Sequence, residues 1–351
     1  LHARPEIDLI VAGPAEEAVR RLAGADFAIP AERVLAVPNR PFAEIAFPYL
    51  EEDFAALDHR YIYYESSRGC PCSCSYCVSG RDDQRPQFRP LELALSELDR
   101  IVSAGRRLAG PPIVKFVDRT FNADPARACA IWRHLAQLEA EVTFHCEVHP
   151  ALLTEEHFEV LAAAPPGRLQ FEIGVQSIHP RTLQGVQRAG AWSRSRPLVK
   201  RLIELGTVAV HLDLIVGLPY EGLAEIGASI NDVIALKPDR FDIGFLKSLP
   251  GTTIRAQTEQ NGQIAMQEAP YQVLANRWLS LGEIARLRRV QQLVDAVWNA
   301  NRLESELDTL ADRHGGYFNA FTALLNRAEA AGYNLATRRR HKVEAFVRGA
   351  A

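Results

Sequence analysis

The chain has 351 residues, 47% hydrophobic and 24% charged, with a formal charge of -3; this is an ordinary globular composition with length for a large core, and it excludes a disordered chain. The charge leaves no electrostatic footprint for nucleic acid or anionic lipid, so neither is an expected partner. No apolar run approaches the roughly 18 residues that span a bilayer, and the N-terminus has no signal pattern, so the expected location is cytoplasmic.

Taken in chain order, residues 1–58 carry one α/β-like fragment, "EIDLIVAGPAEEAVRRLAG", followed by "AVPNRPFAEIAFPYLEEDF", which reads as an irregular linker. A lone strand and helix cannot bury their own faces, and a chain that begins at Leu1 reads as part of a longer product. From Tyr61 short apolar runs alternate with amphipathic ones. "YIYYES" (61–66), "PIVKFVD" (112–118), "VTFHCEV" (142–148), "RLQFEIGVQ" (168–176), "VAVHLDLIVGLP" (208–219) and "RFDIGFLK" (240–247) are predicted strands. Between them Leu91, Leu95, Leu98 and Val102 make one helical stripe, and Ala128, Ile131, Leu135 and Leu138 another. Pro125 in "ADPARA" and Thr154 in "TEEHFEVL" supply helix starts. Strands alternating with helices predict an α/β fold, and six units rather than eight predict a partial (β/α)6 TIM-like barrel over residues 59–258. Past Pro270 the pattern is helical, with Ile284, Leu287, Val290, Val294 and Val297 on one face, so residues 259–351 are a predicted helical C-terminal region. "RRRHK" (338–342) reads as a solvated helix face.

Four of the six cysteines, Cys70, Cys72, Cys74 and Cys77, fall within eight residues. Such a cluster reads as thiols kept reduced for metal rather than as a disulfide framework. Cys70, Cys74 and Cys77 have the spacing CxxxCxxC in the loop after the first barrel strand, which opens onto the face where active sites collect. Three thiolates hold three irons of a four-iron four-sulfur cluster and leave the fourth open. Zinc on all four sulfurs is the alternative, although zinc sites more often pair two distant knuckles. The spacing favours iron and leaves both metals open.

"ESSRGCPCSCSYC" (65–77) resembles the signature loop of radical S-adenosylmethionine (SAM) enzymes, including the aromatic Tyr76 ahead of the last ligand. "FVDRTFN" (116–122), "FHCEVHP" (144–150), "FEIGVQS" (171–177), "HLDLIVGLP" (211–219) and "GFLKSLPGT" (244–252) follow in the order of that family. Together they resemble a cobalamin-dependent branch whose C-terminal region has no characterised function.

The resemblance implies a cluster on Cys70, Cys74 and Cys77, with Cys72 a neighbour. It implies SAM contacts from Glu147 and Asp213 to polar groups, from Gln176 to the ribose region and from Arg188 to the carboxylate. Where many members have Gly-Gly-Glu this chain has "VDRT" (117–120), which makes Asp118 the candidate for the SAM amino group. Leu218 or Ile215 would pack near the adenine, and Arg119 and Phe121 face either the substrate or the turn. Glu172 alternates with Phe171 and Ile173 and would point into the barrel, where a buried carboxylate needs a partner. His145, His149 and His211 read as hydrogen-bonded residues before proton carriers, and no catalytic residue is assigned. "PEIDLIVAGPAEEAVRRL" resembles the last strand and helix of a cobalamin-binding domain, with Gly13, Pro14, Ala15 and Glu16 in place of Gly-Glu-Gly-Glu and no histidine loop. Cobalamin is therefore expected only in a longer parent.

The implied activity is reductive cleavage of SAM to methionine and a 5'-deoxyadenosyl radical, which takes hydrogen from a substrate the sequence does not name. An external donor such as flavodoxin or ferredoxin would supply the electron, and methylcobalamin in the longer parent would supply a methyl group. The rival readings are a tRNA methylthiotransferase, though no cysteine precedes Cys70, a porphyrinogen oxidase, and a non-catalytic zinc or iron-sulfur module.

Overall fold

The computed structural model describes residues 4–38, 40–79, 85–188 and 190–349. Residues 1–3 of the N-terminal segment and Gly80, just past the cysteine loop, lie outside them. Strand β1 (Ile10–Ala12), helix α1 (Ala15–Gly24) and strand β2 (Val34–Ala36) form a βαβ unit with the strands parallel. β2 is absent from the sequence expectation: three residues flanked by Pro30 and Pro38 are too few to show a period.

All six predicted core strands are present, two or three residues shorter than their apolar runs apart from the one ending at Gln176, which is one shorter. They are β3 (Tyr61–Tyr64), β4 (Ile113–Phe116), β5 (Thr143–Glu147), β6 (Leu169–Gln176), β7 (Val208–Val216) and β8 (Arg240–Phe245). The intervening helices are α2 (Leu91–Gly105), α3 (Pro125–Gln137), α4 (Glu155–Ala162), α5 (Trp192–Glu204) and α6 (Leu223–Ile234). As expected, Pro125 opens α3 behind an Asp124 cap and Thr154 caps α4. The sheet runs β8-β7-β6-β5-β4-β3 with every pair parallel. Strands added in chain order by right-handed crossovers keep the helices on one face, and the sheet curls around the other. Among the described residues β3 and β8 do not pair with each other, so the barrel is partial, as predicted.

Parallel strands covered on both faces read as continuous apolar runs. Here β6 and β7 alternate instead: Leu169, Phe171, Ile173, Val175 and Val208, Val210, Leu212, Leu214 are buried against the helices. Gln170, Glu172, Gly174 and Gln176, with His211, Asp213 and Ile215, face the lumen by the period of two.

The C-terminal region is not wholly helical. An antiparallel ladder, β9 (Ile264–Ala265) with β10 (Val273–Ala275), precedes its helices. These are α7 (Leu281–Val294), running into a π-helical turn over Asp295–Asn299, then α8 (Glu304–His314), α9 (Tyr317–Ala331) and α10 (Arg340–Arg348). The predicted stripe Ile284, Leu287, Val290, Val294, Val297 is buried and continuous with the barrel core. No described helix is long and apolar enough to cross a membrane.

A candidate cofactor site at the carboxyl ends of the strands

The loop that follows β3 is held at several points. Asp118, after β4, accepts from Ser66 N at 2.8 Å, Ser66 Oγ at 2.5 Å and Ser67 N at 2.7 Å. Farther along, Ser75 N donates to the Val186 carbonyl and Ile254 N donates to the Ser75 carbonyl, both at 2.9 Å. All the cysteines are free thiols. Cys70 Sγ lies 3.3 Å from Thr120 Oγ1 and accepts from Cys72 N at 3.4 Å, and Cys77 Sγ accepts from Ser79 N at 3.4 Å. Arg188 Nη1 reaches Cys74 Sγ at 3.9 Å. A hydrogen bond from the Cys72 thiol pushes Cys70 down to about 5, helped by Thr120. The same bond and burial push Cys72 up. The lowered Cys70 thiol and the N–H···S bonds to Cys70 and Cys77 suit ligands of an iron-sulfur cluster. Among the described residues no three His, Cys, Asp or Glu side chains converge on a single-ion site.

Glu147, Gln176, Arg188 and Asp213 line one cavity of about 100 Å³ in the lumen mouth, with Arg119, Thr120 and Glu172. Its geometry depends on Gly174. A Cβ there would lie 2.0 Å from Gln176 Nε2, because the Gln176 side chain folds back across the glycine. The β6–β7 ladder slips between Gly174 and Gln176, and Gln176 has φ +67°, a left-handed conformation costly for a residue with a side chain. Gln176 Oε1 is buried with no hydrogen-bond partner. Arg188 Nη2 donates to the Gly174 carbonyl at 2.6 Å, tying the lumen to the cysteine loop.

Burial pushes Glu147 up to about 7, against the pull of Arg119, whose Nη1 lies 3.5 Å away. Burial, together with the neighbouring Glu172 carboxylate, raises Asp213 to about 8. Glu172 itself is lowered, first by its hydrogen bond with His145, whose Nε2 is 3.1 Å from Glu172 Oε2. This is the partner that a lumen carboxylate required. An apolar wall stands beside the cysteines: Tyr76 and Ile215 pack on a buried cluster of Val186, Leu218, Leu246, Ile254 and Val273.

One expectation changes, and two open alternatives resolve. Asp118 is buried with both oxygens occupied by Ser66 and Ser67 and is absent from the cavity lining; it braces the cysteine loop instead of facing SAM. Phe121 is buried and stacks on Trp132 at 5.4 Å, so of that pair only Arg119 faces the lumen. Of Leu218 and Ile215, Leu218 is fully buried and Ile215 lies at the lumen face. Sequence reasoning missed Thr120, Gly174 and Asn122, whose amide donates to the His149 carbonyl at 3.0 Å and accepts from His149 N at 2.9 Å. A glycine inside a strand pattern was the available signal for Gly174.

Residues 64–233 match the sequence profile of the radical SAM superfamily. The chain carries a radical SAM domain. Enzymes of that superfamily use a four-iron four-sulfur cluster and SAM. Residues 259–346 match a second profile, a protein of unknown function (DUF4080). The chain is 25% identical over 217 residues to the tRNA-2-methylthio-N(6)-dimethylallyladenosine synthase of Chloroflexus aurantiacus, covering 57% of this chain and 44% of that one. It thus spans about half the length of that curated relative. Its fold is similar to the radical SAM methyltransferase TsrM from Kitasatospora setae, solved with cobalamin and a [4Fe-4S] cluster, with TM-score 0.52, 17% identity, and coverage of 83% of this chain and 61% of that one. It is also similar to the cobalamin-dependent radical SAM enzyme OxsB, solved with aqua-cobalamin and SAM, with TM-score 0.54, 13% identity, and coverage of 83% and 53%. At such identities the likeness concerns the fold alone.

Proposed function

We propose that the chain is the core of a radical SAM enzyme, with Cys70, Cys74 and Cys77 holding a four-iron four-sulfur cluster and the lumen mouth receiving SAM. One observation carries this reading: the Arg188 guanidinium spans from Cys74 Sγ to the Gly174 carbonyl, joining the thiols to the carboxylate-lined cavity. The cluster and SAM, when bound, supply the electron transfer that splits SAM into methionine and a 5'-deoxyadenosyl radical able to take hydrogen from substrate carbon.

The chain's residues do the placing. Arg188 presents a fork suited to a carboxylate. With Asp118 engaged by the serines, the amino group falls to Glu147, which binding of a cation would draw back to its ionised form. Gln176 Oε1 offers its unpartnered acceptor to a ribose hydroxyl, and Asp213 a second polar contact. Tyr76 and Ile215 give the adenine its apolar wall.

In this reading a flavodoxin- or ferredoxin-like donor supplies the electron. Cobalamin-dependent methyl transfer is the finer form of this proposal: between the βαβ unit and the barrel lies a cavity of about 480 Å³, lined by Arg20, Phe42, Ile45, Phe47 and Arg68 among others. The relative from Chloroflexus is named for a tRNA base, so the expectation of no nucleic-acid partner rests on net charge alone.

The test is anaerobic reconstitution with iron and sulfide, followed by reduction with dithionite in the presence of SAM. Wild type should hold four irons with sulfide and release 5'-deoxyadenosine. Cys70→Ala, Cys74→Ala and Cys77→Ala should each lose both properties, while Cys72→Ala keeps them. Zinc without sulfide would overturn the reading.

A further inference from the structure

The region that matches a family of unknown function reaches back to the cofactor end of the barrel. Beyond β8, Leu246 N donates to the Val216 carbonyl and Val273 N donates to the Leu246 carbonyl, both at 2.9 Å; Ser248 N donates to the Tyr271 carbonyl at 2.7 Å. Residues 271–273 therefore run antiparallel beside 246–248, past the end of β8. Val273 is buried in the cluster that backs Tyr76 and Ile215. Asn276 Nδ2 donates to the Gly217 carbonyl at 2.9 Å, while its Oδ1 accepts from Trp278 N and Leu279 N, each at 2.9 Å. The Trp278 ring sits 4.8 Å from the Tyr220 ring.

The turn these residues grip is a strained one. Gly217 has φ +97°, which glycine adopts freely, whereas Tyr220 has φ +65°, a conformation that a residue with a side chain keeps only where the surroundings impose it. The turn also presses on the segment that holds the cysteine loop: a Cβ on Gly185 would meet the Tyr220 ring at 2.7 Å, and the Val186 carbonyl accepts from Ser75 N. One strap thus supports both the wall and the turn next to it.

We propose that residues 271–278 are a working part of the SAM site, in which Asn276 is a positioning residue for the 217–220 turn and Val273 backs the nucleoside wall. The region of unknown function then sets how tightly the nucleoside half of SAM is held, while the methionine half answers to the lumen residues. This inference rests on the radical SAM reading above.

Asn276→Asp separates the two jobs of the side chain. It keeps an acceptor for Trp278 N and Leu279 N and removes the donor to Gly217. In the full reconstituted chain, SAM binding by equilibrium dialysis should weaken about tenfold, the value of one well-formed hydrogen bond with its consequences for the turn. Methionine binding, read from its perturbation of the reduced cluster's electron paramagnetic resonance signal, should not change. Val273→Ala, which opens a void behind the wall without touching a hydrogen-bonding side chain, should show the same split to a smaller degree. Equal weakening of both ligands, or unchanged SAM affinity in both variants, overturns the inference. Wild type that takes up no cluster or no SAM overturns the radical SAM reading and this inference with it.

Discussion

At the first edge of the sheet the Tyr49 hydroxyl donates to the Tyr63 carbonyl at 2.7 Å and accepts from Tyr63 N at 3.0 Å. At the last edge the Asn299 amide does the same for Phe241, accepting from its N–H at 2.9 Å and donating to its carbonyl at 2.8 Å. Each side chain satisfies the two backbone groups that a neighbouring strand would otherwise have paired, which blunts an edge against association. The surroundings then diverge. Tyr61 and Tyr63 on β3 remain 46% and 51% exposed beside an open cavity of about 740 Å³. Phe241 on β8 is fully buried under Trp298 of the C-terminal region. The same hydrogen-bonding device therefore finishes a wet edge on one side and joins two regions into one core on the other. Its energetic weight follows from burial, because only a buried group is left without a solvent substitute.

The largest break in that comparison is Trp298→Ala. Trp298 is fully buried, and its Nε1 donates to the Pro238 carbonyl at 3.1 Å. Its removal should cost about 4 kcal/mol in urea unfolding, in a single transition if the barrel and C-terminal helices share a core. A separate early transition would show that the sealed edge joins nothing.

The two sides also bury their acids differently. Near the first edge Glu97 is held by Arg89 and by Tyr64 Oη at 2.7 Å. Toward the sealed side Glu221 is buried and accepts from Ser177 Oγ at 2.7 Å and Ser229 Oγ at 3.1 Å, and burial pushes it from 4.5 up to about 7. The folded state then holds this proton more tightly than the unfolded chain does. The stabilisation is full below about pH 4.5 and is lost as pH rises through about 7. Glu221→Gln should remove that dependence, so the stability difference between wild type and variant should shift by up to about 3 kcal/mol across the window. Parallel pH profiles for the two proteins would refute the assignment.

Much of this was legible beforehand, for reasons that can be stated. The apolar runs "LQFEIGVQ" and "VAVHLDLIV" read as strands, alternation beside Phe171 and Ile173 turned Glu172 into the barrel, and the cysteine spacing marked the loop. The edge caps were not legible: Tyr49 and Asn299 meet partners 14 and 58 residues away, and one polar side chain leaves no periodic trace. Asp118 misled because it stands where the resembled family has its Gly-Gly-Glu run, whereas the competing donors, Ser66 and Ser67, stand about fifty residues upstream. β10 escaped because three residues before a helical stretch carry too little pattern, and with it the link between the C-terminal region and the cofactor wall.

The smaller predictions set the two caps against each other. Asn299→Ala strands the N–H and carbonyl of buried Phe241 and should cost about 2 kcal/mol. Tyr49→Phe removes only a hydroxyl. The ring keeps its contacts with Phe54 at 5.3 Å and Phe47 at 5.8 Å, and water replaces the hydroxyl at exposed Tyr63. Its cost should be at most about 1 kcal/mol, with the greater effect on association, because an uncapped edge invites a second strand. Light scattering at rising concentration should detect dimers or larger species of Tyr49→Phe before it detects them in wild type. If Tyr49→Phe destabilises as much as Asn299→Ala, hydrogen-bond count rather than burial governs both edges, and the distinction drawn between them fails.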